Sequence, residues 1–214
     1  MSDNWRLVNG KELYEIKKDP GQTNDVAIEF PEKVAEMRAF YEAWWADIEP
    51  SFVQTTEMYV GAAEVPEVDL NAHDWISPSG IYPPWNQGAI RLAKGKRTFD
   101  GYWAVKVLEA GTYEFKVSRW PLEANHPIVA ALPAGENVPG ASTAYRANPG
   151  AALAFKEAHL VIDGKTIATK PVSKEDVAIT FTAELTEGSH QLAPYFSLKA
   201  GGEIGAYYLL VTKK

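Results

Sequence analysis

The sequence predicts a mainly β chain: an antiparallel β-sandwich preceded by a small strand–turn–helix (α+β) unit. Three observations predict it. After Pro50, apolar residues recur with period two in short runs, as in "GYWAVKVLEAGTYEFKVSRWP". The 14 Pro and 16 Gly stand mostly between such runs, where they punctuate turns. One stretch alone, opening at Pro31, spaces its apolar residues by three and four.

The first element is a hairpin. Trp5, Leu7 and Val8 run into Asn9-Gly10, the chain restarts at Leu13-Tyr14-Glu15-Ile16, and Asp19-Pro20-Gly21 stops it. A helix follows over 31–48, with Val34, Met37, Tyr41, Trp44 and Ile48 forming an apolar stripe. Pro31 suits its first turn, Glu29 and Glu32 favour its positive end, and Pro50 fits a stop. The stripe is expected to dock on the short sheet of residues 5–16. These elements make a first domain, 1–52. The second, 53–214, is the β-sandwich.

Within 53–214, Trp103, Val105 and Val107 share one strand face, and Tyr113, Phe115 and Val117 share that of the next. Glu109-Ala110-Gly111 between them predicts a hairpin. "AHLVIDGKTIATK" predicts another, with Asp163-Gly164 suited to a type I′ turn. "VAITFTAEL", "SHQLAPYFSL" and "GAYYLLVTK" supply further strands, and short strands at this spacing indicate a sandwich. Residues 121–157, rich in Pro, Ala and Gly, have no period and predict an irregular excursion.

Composition narrows the function classes. Hydrophobic residues make up 46% of 214, enough for a sizeable core. A net charge of -7 argues against a nucleic-acid partner. No apolar run approaches the roughly 18–20 residues of a membrane helix. Met1-Ser2-Asp3-Asn4-Trp5 is polar with no apolar leader core, so the chain is expected to be cytoplasmic or to follow an upstream signal. With no Cys there is no disulfide, thiolate nucleophile or Cys-metal site. The four His, at 73, 126, 159 and 190, lack zinc-ligand spacing, and His159 reads as solvent-facing on its strand. "GGEIG" at 201–205 precedes a strand, unlike a phosphate loop.

Two aromatic constellations are candidate carbohydrate contacts. His73-Asp74-Trp75 and Trp85-Asn86-Gln87 flank a Pro-rich loop, offering indole faces for a sugar ring and polar partners for its hydroxyls. Arg119-Trp120 closes a strand, and its guanidinium could grip a sulfate or carboxylate. Each has a structural alternative: the Trp residues pin a loop to the sandwich, and Arg119 stacks on Trp120 as glue. Trp103, Trp44 and Trp45 read as core.

Trp5-Arg6-Leu7-Val8, "NGKELYEIKKDPGQTNDVA", Pro31-Glu32-Lys33-Val34 and Tyr41-Glu42-Ala43-Trp44-Trp45 resemble the carboxy-terminal end of the arylsulfatase family in order and spacing. "HDW", "PPWNQ", "GYWAV", "AGTYEFKVSRWP" and "GAYYLLV" resemble the β extension that some bacterial sulfatases carry after it. The resemblance implies a carboxy-terminal fragment whose catalytic domain lies upstream, in a periplasmic or secreted parent. It implies that calcium and formylglycine belong to that domain, with no cofactor in this chain. Ser142-Thr143-Ala144-Tyr145-Arg146 fits the loose formylglycine pattern, but it sits in an irregular stretch with no Asp pair to supply metal ligands. The expected partners are the catalytic domain, a sulfated glycan and, through the open edge of the N-terminal sheet, a second copy of the chain. The function read is a non-catalytic carboxy-terminal portion of a sulfatase that hydrolyses sulfate esters of glycans, a portion expected to support the catalytic domain and to contact carbohydrate. The alternative is a purely structural module docked on the catalytic domain.

Overall fold

The computed structural model describes residues 1–2, 4–78, 90–91, 101–142 and 149–214. The chain divides into two compact units, Met1–Thr55 and Thr56–Lys214.

In the first unit, β1 (Trp5–Val8) and β2 (Glu12–Glu15) pair antiparallel, Trp5 opposite Glu15. Asn9 and Gly10 both take positive φ, 51° and 68°, and Lys11 N–H closes the turn on the Val8 carbonyl. The following loop is stitched back by two carboxylates. Asp25 accepts from the amides of Leu13 and Ala27 at 2.9 and 3.0 Å, while Val26 N–H donates to the Leu13 carbonyl. Asp19 accepts from the amides of Asn24 and Thr23, and these bonds hold its carboxyl below the usual range. Leu13 and Val26 are the buried apolar side chains of this unit.

The helix α1 (Pro31–Ile48) forms where the spacing places it, with Pro31 in its first turn. Its stripe is only partly covered. Val34 and Met37 are half-buried, but Tyr41 and Trp44 are 53% and 48% exposed, and no helix residue is fully buried. The expected docking of the whole stripe on the 5–16 sheet therefore fails at Tyr41 and Trp44, although Ile48 is half-buried. The reason is length. Four-residue strands run roughly 13 Å, whereas 18 helical residues run about 27 Å. The expectation that Trp44 and Trp45 are core fails with it: they form an exposed aromatic run with Tyr41 and Phe52.

The second unit is a β-sandwich. One sheet has the order β12 (Glu203–Gly205), β11 (Tyr195–Leu198), β7 (Phe155–Ile162), β10 (Gly188–Leu192), β5 (Trp103–Val107), β3 (Met58–Val60), with β8 (Lys165–Pro171) also paired to β7. The other has the order β4 (Glu67–Asn71), β13 (Tyr208–Lys213), β6 (Gly111–Ser118), β9 (Ile179–Leu185). Among the described strands all pairings are antiparallel except β3 with β5. The core lies between the sheets. Trp103, Val105 and Val107 on one side and Tyr113, Phe115, Val117, Phe181, Leu209 and Val211 on the other are all within 1% of full burial.

The β7–β8 hairpin turns at Asp163 and Gly164 with φ of 50° and 73°, as a type I′ turn requires. The stretch expected to make a hairpin around Glu109-Ala110-Gly111 does not. β5 pairs with β10 and β3, and β6 pairs with β13 and β9, so this turn carries the chain from one sheet to the other. Two alternating strands joined by a short turn can pair edge to edge or face each other across a core. Their matching apolar faces meet more area in the second arrangement. β9 and β10 repeat the crossing at Thr186-Glu187.

Among the described residues of 121–157, only a 3₁₀ turn at Leu122–Ala124 precedes β7. Arg119 organises this excursion. Its guanidinium donates to the carbonyls of Ala151, Ala130, Ile128 and Arg91, at 2.9 to 3.5 Å. The segments that lack strand partners thus have backbone acceptors satisfied by one side chain.

Candidate functional site

The sequence-predicted contact residues separate in space. Asn71, at the end of β4, caps a 3₁₀ turn, Ala72–Asp74, by accepting from the His73 amide at 3.0 Å. This turn holds the His73 and Asp74 side chains outward, His73 Nδ1 lying 3.8 Å from Asp74 Oδ1. Trp75 then turns inward. It is 6% exposed, stacked on Tyr207 at 5.6 Å and edge-on to Trp103 at 5.6 Å. Trp103 Nε1 donates to the Asn71 carbonyl at 2.7 Å, which fixes the capped turn to the core. Trp85, Asn86 and Gln87 lie outside the described residues.

Arg119 and Trp120 are fully buried, with the guanidinium 4.3 Å over the indole. Burial pushes the Arg119 guanidinium down to about 10, so it remains a cation at neutral pH. Trp75, Arg119 and Trp120 have no face open to a sugar or sulfate in this structure. Their reading as direct contacts gives way to packing, because each ring or guanidinium spends its surface on neighbours within the sandwich.

Outward-facing positions of β7, β11 and β12 build a different site. Side chains alternate along each strand, so Ala158, Leu160, Phe196 and Ile204 enter the core while Glu157, His159, Tyr195, Ser197 and Glu203 stand on the opposite face. Register puts Tyr195 beside His159 and Ser197 beside Glu157 and Glu203. With Lys156 and the Gly201-Gly202 turn they line an open cleft of about 540 Å³. Glycines at φ 84° and 95° make that turn.

A hydrogen-bond chain orders the cleft floor. Ser197 Oγ donates to the Glu157 carbonyl at 3.3 Å, which assigns His159 Nε2 as donor to Ser197 Oγ at 3.2 Å. Thr169 Oγ1 then donates to His159 Nδ1 at 3.0 Å. Both ring nitrogens are used in the neutral form. Burial also holds the imidazole below its ordinary value, against the opposing pull of Glu157 and Glu203. Burial, with those two carboxylates, raises the Tyr195 phenol, which stays a donor. Lys156 pairs with Glu157 at 3.2 Å, leaving Glu203 without an ion-pair partner among the described residues. The sequence signal for this face was the alternation itself, with His159 and Tyr195 both at outward positions.

The cleft can stack and hydrogen-bond a ligand. Among the described residues no group of three or more His, Asp and Glu is placed to hold a metal ion. No protein-family model and no curated protein matches the sequence. Solved structures that overlap it include a family 35 carbohydrate-binding module from Clostridium thermocellum, with 16% identity and TM-score 0.34, over 69% of this chain and 98% of that one. A ruminal GH26 endo-beta-1,4-mannanase overlaps with 14% identity and TM-score 0.34, over 69% of this chain. A Podospora anserina GH26-CBM35 beta-(1,4)-mannanase overlaps with 11% identity and TM-score 0.34, over 70% of this chain. The chain spans only 26% and 28% of the two mannanases. Overlap at this level assigns no ligand and no reaction to this chain.

Proposed function

We propose that the chain is a non-catalytic carboxy-terminal portion of a sulfatase that hydrolyses sulfate esters of glycans. It supports the catalytic domain, and its β-sandwich contacts carbohydrate. The observation that carries this reading is the run from Trp5 to Ile48, whose order of strand, Asn-Gly turn, strand, Asp-Pro-Gly loop and aromatic-ended helix resembles the end of the arylsulfatase family. The exposed aromatic run of Tyr41, Trp44, Trp45 and Phe52 agrees with a surface that a further domain covers. In this reading calcium and formylglycine belong to the catalytic domain. A second reading, a purely structural or interface module, is favoured by the burial of Trp75, Arg119 and Trp120.

The test mixes the chain with an arylsulfatase catalytic domain made without its own carboxy-terminal subdomain, loaded with calcium and formylglycine. The expected result is a complex on size exclusion and a gain in turnover of an activated aryl sulfate ester. The chain alone, expressed beside a formylglycine-generating enzyme, is expected to give none. Turnover by the chain alone that Ser142→Ala abolishes, or failure both to associate and to raise turnover, would overturn the sulfatase assignment. Complex formation with no sugar binding anywhere on the chain would select the structural reading.

A further inference from the structure

We propose that the cleft over β7, β11 and β12 is a carbohydrate site selective for an uncharged, unsulfated sugar residue. The inference rests on the reading that the sandwich contacts carbohydrate, and names both where and which class.

Three features point to the ligand. The cleft is open, with half-buried Tyr195 stacked on His159 at 4.3 Å and 10° from parallel. A ring immobilised in this way gives an apolar edge or face to a pyranose without losing rotamer freedom on binding. The hydrogen-bonding groups around it suit hydroxyls. Glu203, unpaired among the described residues, can accept from two adjacent hydroxyls, as a carboxylate does with a vicinal diol. Tyr195 O–H remains a donor. The backbone at Gly201 and Gly202 carries no side chain to block approach along the rim.

Charge then selects against sulfate. Glu157 and Glu203 are acidic, His159 is neutral, and among the described residues the only ammonium lining the cleft, Lys156, is paired to Glu157. A sulfate ester here would face an uncompensated carboxylate. The cleft therefore retains glycan stretches lacking sulfate, such as those a sulfatase leaves behind, and leaves sulfated residues free for the catalytic domain.

The test titrates the full chain with neutral hexaoses of galacto, manno and xylo configuration, and with carrageenan and chondroitin sulfate oligosaccharides. Tyrosine ring and indole N–H shifts are followed by NMR. At least one neutral hexaose is expected to shift Tyr195 with millimolar affinity, and its sulfated counterpart to bind at least tenfold more weakly. Glu203→Gln should weaken the neutral sugar roughly tenfold, the effect of one lost charge-assisted bond, with an unchanged amide spectrum and melting temperature. Glu203→Lys should shift the preference toward the sulfated ligand. Sulfated oligosaccharide seated on Tyr195 at least as tightly as neutral sugar would overturn the selectivity. Sugar shifts confined to indoles, with Tyr195 silent, would overturn the site while leaving the carbohydrate reading intact. Silence of every tyrosine and indole toward both classes would remove the carbohydrate reading itself.

Discussion

The imidazole of His159 lies parallel to the phenol ring of Tyr195, 4.3 Å between centroids, on the outer face of the seven-stranded sheet. The stack and both ring-nitrogen hydrogen bonds serve the neutral imidazole, whose folded value lies below the ordinary one because of burial. As pH falls through about 6.5, the unfolded chain takes up this proton first. His159 thus costs stability increasingly between that pH and its lower folded value, and adds no slope above it. The measurement is urea unfolding of wild type and His159→Gln from pH 5 to 8. Wild type should lose more stability than the variant on acidification. A constant difference at every pH would mean the ring is not held neutral.

A second relationship sets the crossing between the sheets. Gly61 has φ 80°, and a Cβ there would overlap the Tyr113 hydroxyl. That hydroxyl donates to the Glu109 carbonyl at 2.6 Å, tying β6 to the turn that leaves β5. Gly61→Ala should cost about 2–4 kcal/mol from strain and overpacking together. Gly164→Ala, with φ 73° but nothing within 4 Å, should cost only about 1 kcal/mol. Adding Tyr113→Phe should recover part of the Gly61→Ala loss. Equal losses at the two glycines by denaturant titration would remove Tyr113 as the cause.

This crossing also marks where the sequence stops being legible. Alternation placed Trp103, Val105, Val107, Tyr113, Phe115 and Val117 in the core, and all six are buried. It could not tell whether β5 and β6 pair or oppose, because both arrangements use the same period. Strands β3 and β4 were missed because three- and five-residue strands broken by Gly61 and Pro66 give too few alternations. The site was less legible than the fold. Trp75 beside a loop and Trp120 at a strand end read as candidate contacts, and an aromatic at either place folds inward or outward with the same local sequence. The cleft needs Tyr195 of β11 beside His159 of β7, a pairing of distant segments that no local pattern displays.

Arg119 supplies a third prediction. It is a buried cation whose guanidinium donates to carbonyls from separate loop segments, Ile128 and Ala130, Arg91 and Ala151. A lysine ammonium cannot span that fork. Arg119→Lys should therefore leave buried carbonyls unpaired and cost about 2–4 kcal/mol, with amides near residues 128–132 and 150–153 losing hydrogen-exchange protection first. A loss below about 0.5 kcal/mol, the size of a surface change, would show that the excursion holds without it.

The last prediction concerns the helix. Tyr41 and Trp44 sit at stripe positions yet stand 53% and 48% exposed, whereas Leu13 on β2 is 0% exposed. Hydrophobic stabilisation follows area removed from water, so pattern alone does not make Trp44 a stabilising residue. Leu13→Ala should cost about 2–5 kcal/mol in protection of the hairpin amides. Trp44→Ser should change helix protection by less than about 0.5 kcal/mol, and Met37→Asp, on the half-buried second turn, should fall between. The ranking depends on which helical turns the four-residue strands reach. Exchange is measured at two protein concentrations a hundredfold apart. If Trp44→Ser costs as much as Leu13→Ala only at the higher concentration, a second copy covers the aromatic run. If it does so at both, the exposed description of the helix is wrong.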